Sequence, residues 1–176
     1  MEAARLPRGR EHIVWDEFGD GERIEAQRVT RAMERPNVPP SDAMRFKVRL
    51  RTRWSDEDTQ HVLNNAVLPT LFEEARFAYF SALGLLEENC FPFVLAQTNV
   101  VYLAPGRGGR EVEVEMATTG LGTSSFTQAY RVRDAASGAV WCEAESRLVC
   151  VDRSGAKRAM DAALRRAISA RENPSC

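Results

Sequence analysis

The chain has 176 residues, 44% of them hydrophobic, and a formal net charge of −1, which suits one packed domain. The near-neutral balance gives no electrostatic reason for a nucleic-acid partner, and no apolar run approaches the roughly 20 residues that span a bilayer. Cys90, Cys142, Cys150 and Cys176 form no Cys-x-x-Cys pair, and the histidines are His12 and His61 alone, so no metal site is expected.

Residues 1–43 read as a polar N-terminal extension that ends in the breaker-rich run Arg35-Pro36-Asn37-Val38-Pro39-Pro40-Ser41. Its start lacks the apolar core of a secretory signal, and Glu2, Glu11, Asp16 and Glu17 argue against a mitochondrial presequence, so a soluble cytoplasmic protein is expected. Inside it HIVWDEF is either a short strand or a docking segment that presents Trp15 and Phe18.

From Met44 the pattern sharpens. Phe46, Val48, Leu50, Thr52 and Trp54 alternate with Arg45, Lys47, Arg49, Arg51 and Arg53, which predicts a half-buried strand whose basic face is solvated. Next, Leu68, Leu71, Phe72, Ala75, Ala78, Tyr79 and Ala82 follow three- and four-residue spacing, predicting a helix of about 18 residues. Asn64 or Asn65 caps its start, Pro69 falls near the first turn and Gly84 ends it. Cys90 lies in the loop after it and stays open as a nucleophile, although no histidine is near it in sequence to activate it.

Strands are expected at Phe93–Leu103, apolar enough to be central, at Glu111–Thr119, at Ser124–Arg133 and at Val140–Val151. Turns at Pro105–Gly109 and Asp134–Gly138 join them. Cys142 and Cys150 share parity on the last strand, as small buried hydrophobes do. A C-terminal helix is expected over Ala156–Ala170, with Met160, Leu164 and Ile168 on one side. Strand, long helix, then four strands favours an α+β arrangement, one antiparallel sheet covered on one face by a single helix. One helix leaves part of such a face open, so oligomerisation by joining sheets edge to edge is expected.

The chemistry concentrates in residues 51–76, RTRWSDEDTQHVLNNAVLPTLFEEAR. Asp58 stands seven residues before Asn65, where the helix is expected to open. That spacing sets a carboxylate near free backbone N–H groups, a pairing suited to attack on a carbonyl. The plainer alternative is that Asp58 is a polar turn residue, with Asp56 as the competing acid. His61 either orients water or packs against the helix start. Asn64 and Asn65 either position substrate or simply cap. Arg107 and Arg110 flank a Gly-rich turn and either meet a phosphate or solvate a hairpin. Glu73 and Glu74 sit mid-helix, where a solvent-facing role is the ordinary one.

This element order, with Asp58, Asn64 and Asn65 followed by Phe72-Glu73-Glu74-Ala75-Arg76, resembles the hotdog-fold thioesterases of the 4-hydroxybenzoyl-CoA thioesterase-like group. Val100-Val101-Tyr102-Leu103-Ala104-Pro105-Gly106-Arg107 and Ser124-Ser125-Phe126 fit the same pattern, so the likeness spans about residues 44–158, with 159–176 as a C-terminal helix and tail. Members carry Asp-x-x-Gly-His-Val-Asn-Asn. Here the Gly-His-Val positions hold His61, Val62 and Leu63, and the aromatic common soon after the Asn pair is Leu68.

The resemblance implies a five-stranded antiparallel sheet wrapped around one long central helix. It implies an acyl thioester hydrolase acting on acyl-CoA or an acyl carrier protein, with no cofactor and no metal. Asp58 would serve as nucleophile or general base and the Asn65 N–H as oxyanion donor, with His61 and Asn64 beside them. Arg107, Glu73, Ser124 and Ser125 would meet the substrate, in pockets formed between the subunits of a homodimer or homotetramer. Two rivals share the fold: a 3-hydroxyacyl-thioester dehydratase, which would depend on His61, and a non-catalytic acyl-thioester-binding protein.

Overall fold

In a computed structural model residues 35–86, 88 and 90–173 are described. The HIVWDEF segment with Trp15 and Phe18, His12 and Cys176 lie outside the described residues. The elements are β1 (Phe46–Arg51), α1 (Val67–Ala82), β2 (Phe93–Tyr102), β3 (Glu111–Leu121), β4 (Ser125–Asp134), β5 (Val140–Cys150) and α2 (Ala162–Glu172). The strands form one antiparallel sheet in the order β1-β3-β4-β5-β2, the α+β arrangement expected. Among the described residues no helix is long and apolar enough to cross a membrane.

Helix α1 lies across the inner face of the sheet because its apolar side chains recur every three or four residues. Leu68, Leu71, Phe72, Ala75, Tyr79 and Phe80 are buried. Phe72 stacks on Tyr130 with ring centroids 4.8 Å apart, and Phe80 wedges between Phe93 (4.8 Å) and Phe126 (5.9 Å). The helix runs for 16 residues, shorter than expected because Asn64 and Asn65 belong to the preceding turn. At its other end Gly84 takes φ +67° and its N–H reaches the Ser81 carbonyl at 2.9 Å, the glycine stop foreseen.

Three expectations are corrected. First, β1 ends at Arg51 and a 3-10 turn follows at Trp54–Asp56. Trp54, expected on the buried face, is therefore 85% exposed. Second, β2 is an edge strand and not a central one, so its apolar Val94 and Leu95 stand about half exposed. Apolar composition reports burial but cannot tell burial by this chain from burial by another. Third, the C-terminal helix starts later: Val151 and Lys157 form an isolated bridge, and Asp161 caps α2 by accepting from the Leu164 N–H at 2.7 Å. Leu164 and Ile168 are buried as expected. Glu172 at the end of α2 accepts from Tyr79 Oη at 2.7 Å and the Thr118 N–H at 2.8 Å.

The outer face of the sheet is built from columns of alternating charge. Lys47, Arg49 and Arg51 on β1 stand opposite Glu115, Glu113 and Glu111 on β3. Glu113 and Glu115 in turn stand opposite Arg133 and Arg131 on β4, and Arg131 opposite Glu143 on β5. The basic face of β1 is thus partnered as well as solvated. Residues 35–43 run over this face: Ser41 Oγ donates to Glu115, the Pro39 carbonyl accepts from Arg131 at 3.1 Å, and Val38 packs on Met44, Ala117 and Ala129.

A polar chain interrupts the apolar core. Arg76, only 4% exposed, donates to Tyr130 Oη at 3.1 Å, and Tyr130 donates to Gln128 Oε1 at 2.8 Å. Burial pushes the Tyr130 phenol up to about 12 although Arg76 and Ser146 pull the other way.

Candidate active site

Residues 56–64 fold back on themselves as a tight loop. The Asp58 N–H reaches the Val62 carbonyl at 2.8 Å, the Asn64 N–H reaches the Asp56 carbonyl at 2.8 Å, and Glu57 bridges Leu63 between them. At the tip His61 takes φ +57°, a left-handed conformation, and its N–H returns to the Asp58 carbonyl at 3.0 Å. In the family pattern that the sequence resembles, this position is glycine. A side chain there costs about 1 kcal/mol, and glycine avoids that cost.

The loop gives each of its acids a distinct task. Asp56 accepts from the Arg53 N–H at 2.7 Å, and Glu57 accepts from the Gly108 N–H at 2.9 Å. Asp58 uses Oδ1 to accept from the Gln60 N–H at 2.7 Å. Its Oδ2 takes no hydrogen bond among the described residues, so Asp58 keeps a carboxylate oxygen available, half-buried beside the loop tip. Asp56, the competing acid, is committed to the 3-10 turn.

Beyond the loop, Asn64 makes the turn into α1. Its Oδ1 accepts from the Ala66 N–H and its carbonyl from the Val67 N–H, both at 2.9 Å. The Asn65 backbone N–H has no partner among the described residues, as expected of a donor ahead of a helix's first turn. The helix dipole adds partial positive charge at this end. No hydrogen bond joins Asp58 to Asn65 among the described residues.

Asn65 lines a cavity of about 440 Å³ that opens between the start of α1 and the end of β2. Val62, Leu63, Leu68 and Trp141 form its inner wall, and Tyr102 and Leu103, each about half exposed, its outer one. The turn after β2 is tied across it: the Leu63 N–H reaches the Gly106 carbonyl at 3.0 Å, Thr52 Oγ1 donates to the Arg107 carbonyl at 2.9 Å, and Arg107 Nη1 donates to the His61 carbonyl. Gly106 must lack a side chain, since a Cβ there would lie 2.8 Å from Trp141 Cε3.

Several sequence candidates lie elsewhere. Of the predicted site residues only Asn65 lines the cavity: Asp58, Asn64 and Arg107 do not, and the His61 side chain is exposed and does not either. Arg110 is exposed, with its carbonyl taken by the Thr52 N–H. Glu73 and Glu74 are exposed on α1. The carbonyls of Ser124 and Ser125 accept from Cys150 and Gly122 at the start of β4, and neither serine lines the cavity. Cys90 is exposed, its thiol turned to the Glu88 carbonyl at 3.7 Å, while Cys142 and Cys150 are buried. Sequence reasoning missed Trp141 and Tyr102. Trp141 breaks the alternation of its strand, so no periodicity could flag it. Tyr102 and Gly106 stood within the quoted family-like run but carried no assigned role.

Comparison with known proteins places the chain among relatives. A profile described as the thioesterase-like superfamily matches residues 52–168. A thioesterase from Thermus thermophilus, solved with coenzyme A and zinc, is 35% identical, with 72% of this chain and 93% of that one covered at a TM-score of 0.64. A 1,4-dihydroxy-2-naphthoyl-CoA thioesterase from Synechocystis is 20% identical, with 73% and 98% covered and a TM-score of 0.65. A probable thioesterase from Escherichia coli is 19% identical, with 72% and 98% covered and a TM-score of 0.59. The last two likenesses speak for the fold alone. No curated protein matches the chain.

Proposed function

Because the chain belongs to the thioesterase-like superfamily, we propose that it hydrolyses an acyl thioester with Asp58 and the Asn65 N–H as its working groups. One observation carries this reading: Asn65, whose backbone N–H has no partner among the described residues, lines the cavity, and the loop before it leaves one Asp58 oxygen open. The acyl group enters the cavity and its carbonyl oxygen faces the Asn65 N–H. Asp58 takes a proton from the attacking water, or itself attacks to give an anhydride that water cleaves. Negative charge gathers on the former carbonyl oxygen, where one backbone donor is typically worth about 10²–10³ in rate. The thiolate then leaves and takes up a proton.

The substrate's carrier is coenzyme A in this proposal, as the Thermus relative's bound coenzyme A suggests; an acyl carrier protein is the alternative. The enzyme works as a homodimer that joins β2 edges, since Val94 and Leu95 expose apolar surface on an unpaired strand edge. Glu73, Ser124 and Ser125, absent from this chain's own cavity, would reach the substrate from the second copy. A dehydratase is less favoured because His61, which it requires, has an exposed side chain, whereas Asp58 is half-buried.

Thiol release from a panel of acyl-CoA thioesters tests the proposal, wild type beside Asp58→Ala of unchanged fold. Loss of about 10²–10⁴ in kcat is expected for the variant. Full turnover in Asp58→Ala would remove Asp58 from the chemistry. Tight binding with no turnover by the wild type would favour the non-catalytic binding protein.

A further inference from the structure

We propose that Trp141, turned inward by a β-bulge, is the floor of the acyl cavity and limits the enzyme to compact, uncharged hydrocarbon acyl groups. This deepens the hydrolase reading and rests on it for the identity of the cavity. The bulge is explicit in the register. Val132 pairs with Cys142 and Arg133 pairs with Val140, which leaves Trp141 as the extra residue on β5. Strand parity alone would set Trp141 on the charged outer face, beside Glu143 and Glu145. Instead Trp141 and Cys142 are both buried, at 5% and 0% exposure. Bulges re-aim side chains in this way, and this one sends an indole toward the start of α1.

The indole is held firmly. The Trp141 carbonyl accepts from the Leu103 N–H at 2.8 Å and the Ala104 N–H at 3.1 Å, which ties its backbone to the end of β2. Gly106 passes directly over the ring, at a distance that leaves no room for a methyl group. Wall and floor thus brace one another, and the floor cannot drop without breaking contacts on two elements.

The lining decides the chemistry. Among the described residues no charged side chain, cysteine, serine or threonine lines the cavity, and its side-chain polar groups are those of Asn65, Tyr102 and the Trp141 indole N–H. A charged acyl terminus would lose water there with no opposite charge in the lining to offset the loss. The volume, about 440 Å³, lies in the lower part of the ~300–1,000 Å³ range of ligand clefts. A long chain would therefore meet the indole before it was fully buried.

Binding of straight-chain S-alkyl-CoA thioethers of increasing length tests this without requiring turnover. Kd in the wild type should tighten by about fourfold per methylene, the equivalent of ~0.8 kcal/mol, until the chain meets the floor. Trp141→Ala should move the tightest ligand to longer chains. Trp141→Phe, a smaller ring on the same backbone, should move it part of the same way and serves if Trp141→Ala does not fold. A thioether ending in a carboxylate should bind roughly 100-fold more weakly than its alkyl counterpart of equal length. Unchanged length optima in the folded variants, or equal binding of the carboxylate-ended ligand, would overturn the proposal. Length-dependent binding with no hydrolysis of the matching acyl-CoA would refute only the hydrolase reading.

Discussion

Replacing Glu115 by Gln should cost about 2–3 kcal/mol of stability. Its side chain is fully buried and holds Lys47 Nζ at 2.8 Å, Arg131 at 3.1 Å and Arg133 at 3.2 Å. Breaking a buried ion pair typically costs about 3–5 kcal/mol, because a desolvated charge is left behind. Here the loss is smaller. Arg131 keeps Glu143 at 2.6 Å, and Lys47, 43% exposed, keeps water and Glu113 at 3.7 Å. Tm should fall by roughly 5–10 °C.

The pH dependence gives a sharper check. Burial alone would raise the Glu115 carboxyl, but hydrogen bonds from Lys47, Ser41 and Arg131, with the charge of Arg133, outweigh it and hold it below the usual range. A carboxyl lowered by folding adds stability above its unfolded pKa, near 4.3, and loses it as pH falls through the folded value. Urea melts of wild type and Glu115→Gln should differ most near pH 7 and converge in acid. A gap under about 0.5 kcal/mol at pH 7, or one that widens in acid, would refute the reasoning. Glu113→Gln, at a partly exposed position with its cation 3.7 Å away, should cost under about 1 kcal/mol.

His61→Gly should stabilise the fold by no more than about 0.5 kcal/mol, since the relief of a left-handed side chain is largely offset by the added freedom of the unfolded chain; a clearly lower Tm would show that the imidazole makes a contact that matters. Leu95→Lys, on the exposed edge strand, should convert a dimer to monomer in sedimentation or light scattering with little change in monomer fold. A dimer that survives this change would place the interface elsewhere.

The sequence alone determined the parts whose signal is local. Period-two alternation in residues 111–119 and 124–133 forecast β3 and β4, and helical spacing from Leu68 forecast α1, because each signal needs only neighbours in the chain. The block from Asp58 to Arg76 pointed to the family, since its spacing lies within one loop and one helix. Even the outer charge columns are written in the sequence, as Arg/Lys alternation in β1 and Glu alternation in β3, although which columns meet depends on strand order.

Tertiary structure decided the rest. Phe93–Tyr102 is apolar whether central or at an edge, and the topology placed it at an edge. Spacing to the Asn pair already singled out Asp58 over Asp56, but the partners that occupy Asp56 and Glu57, one as distant as Gly108, are visible only in the contacts. Trp141 has outward parity on its strand and becomes the cavity floor through one extra residue in the register. A bulge is a relation between two strands, so neither strand's own pattern of side chains encodes it.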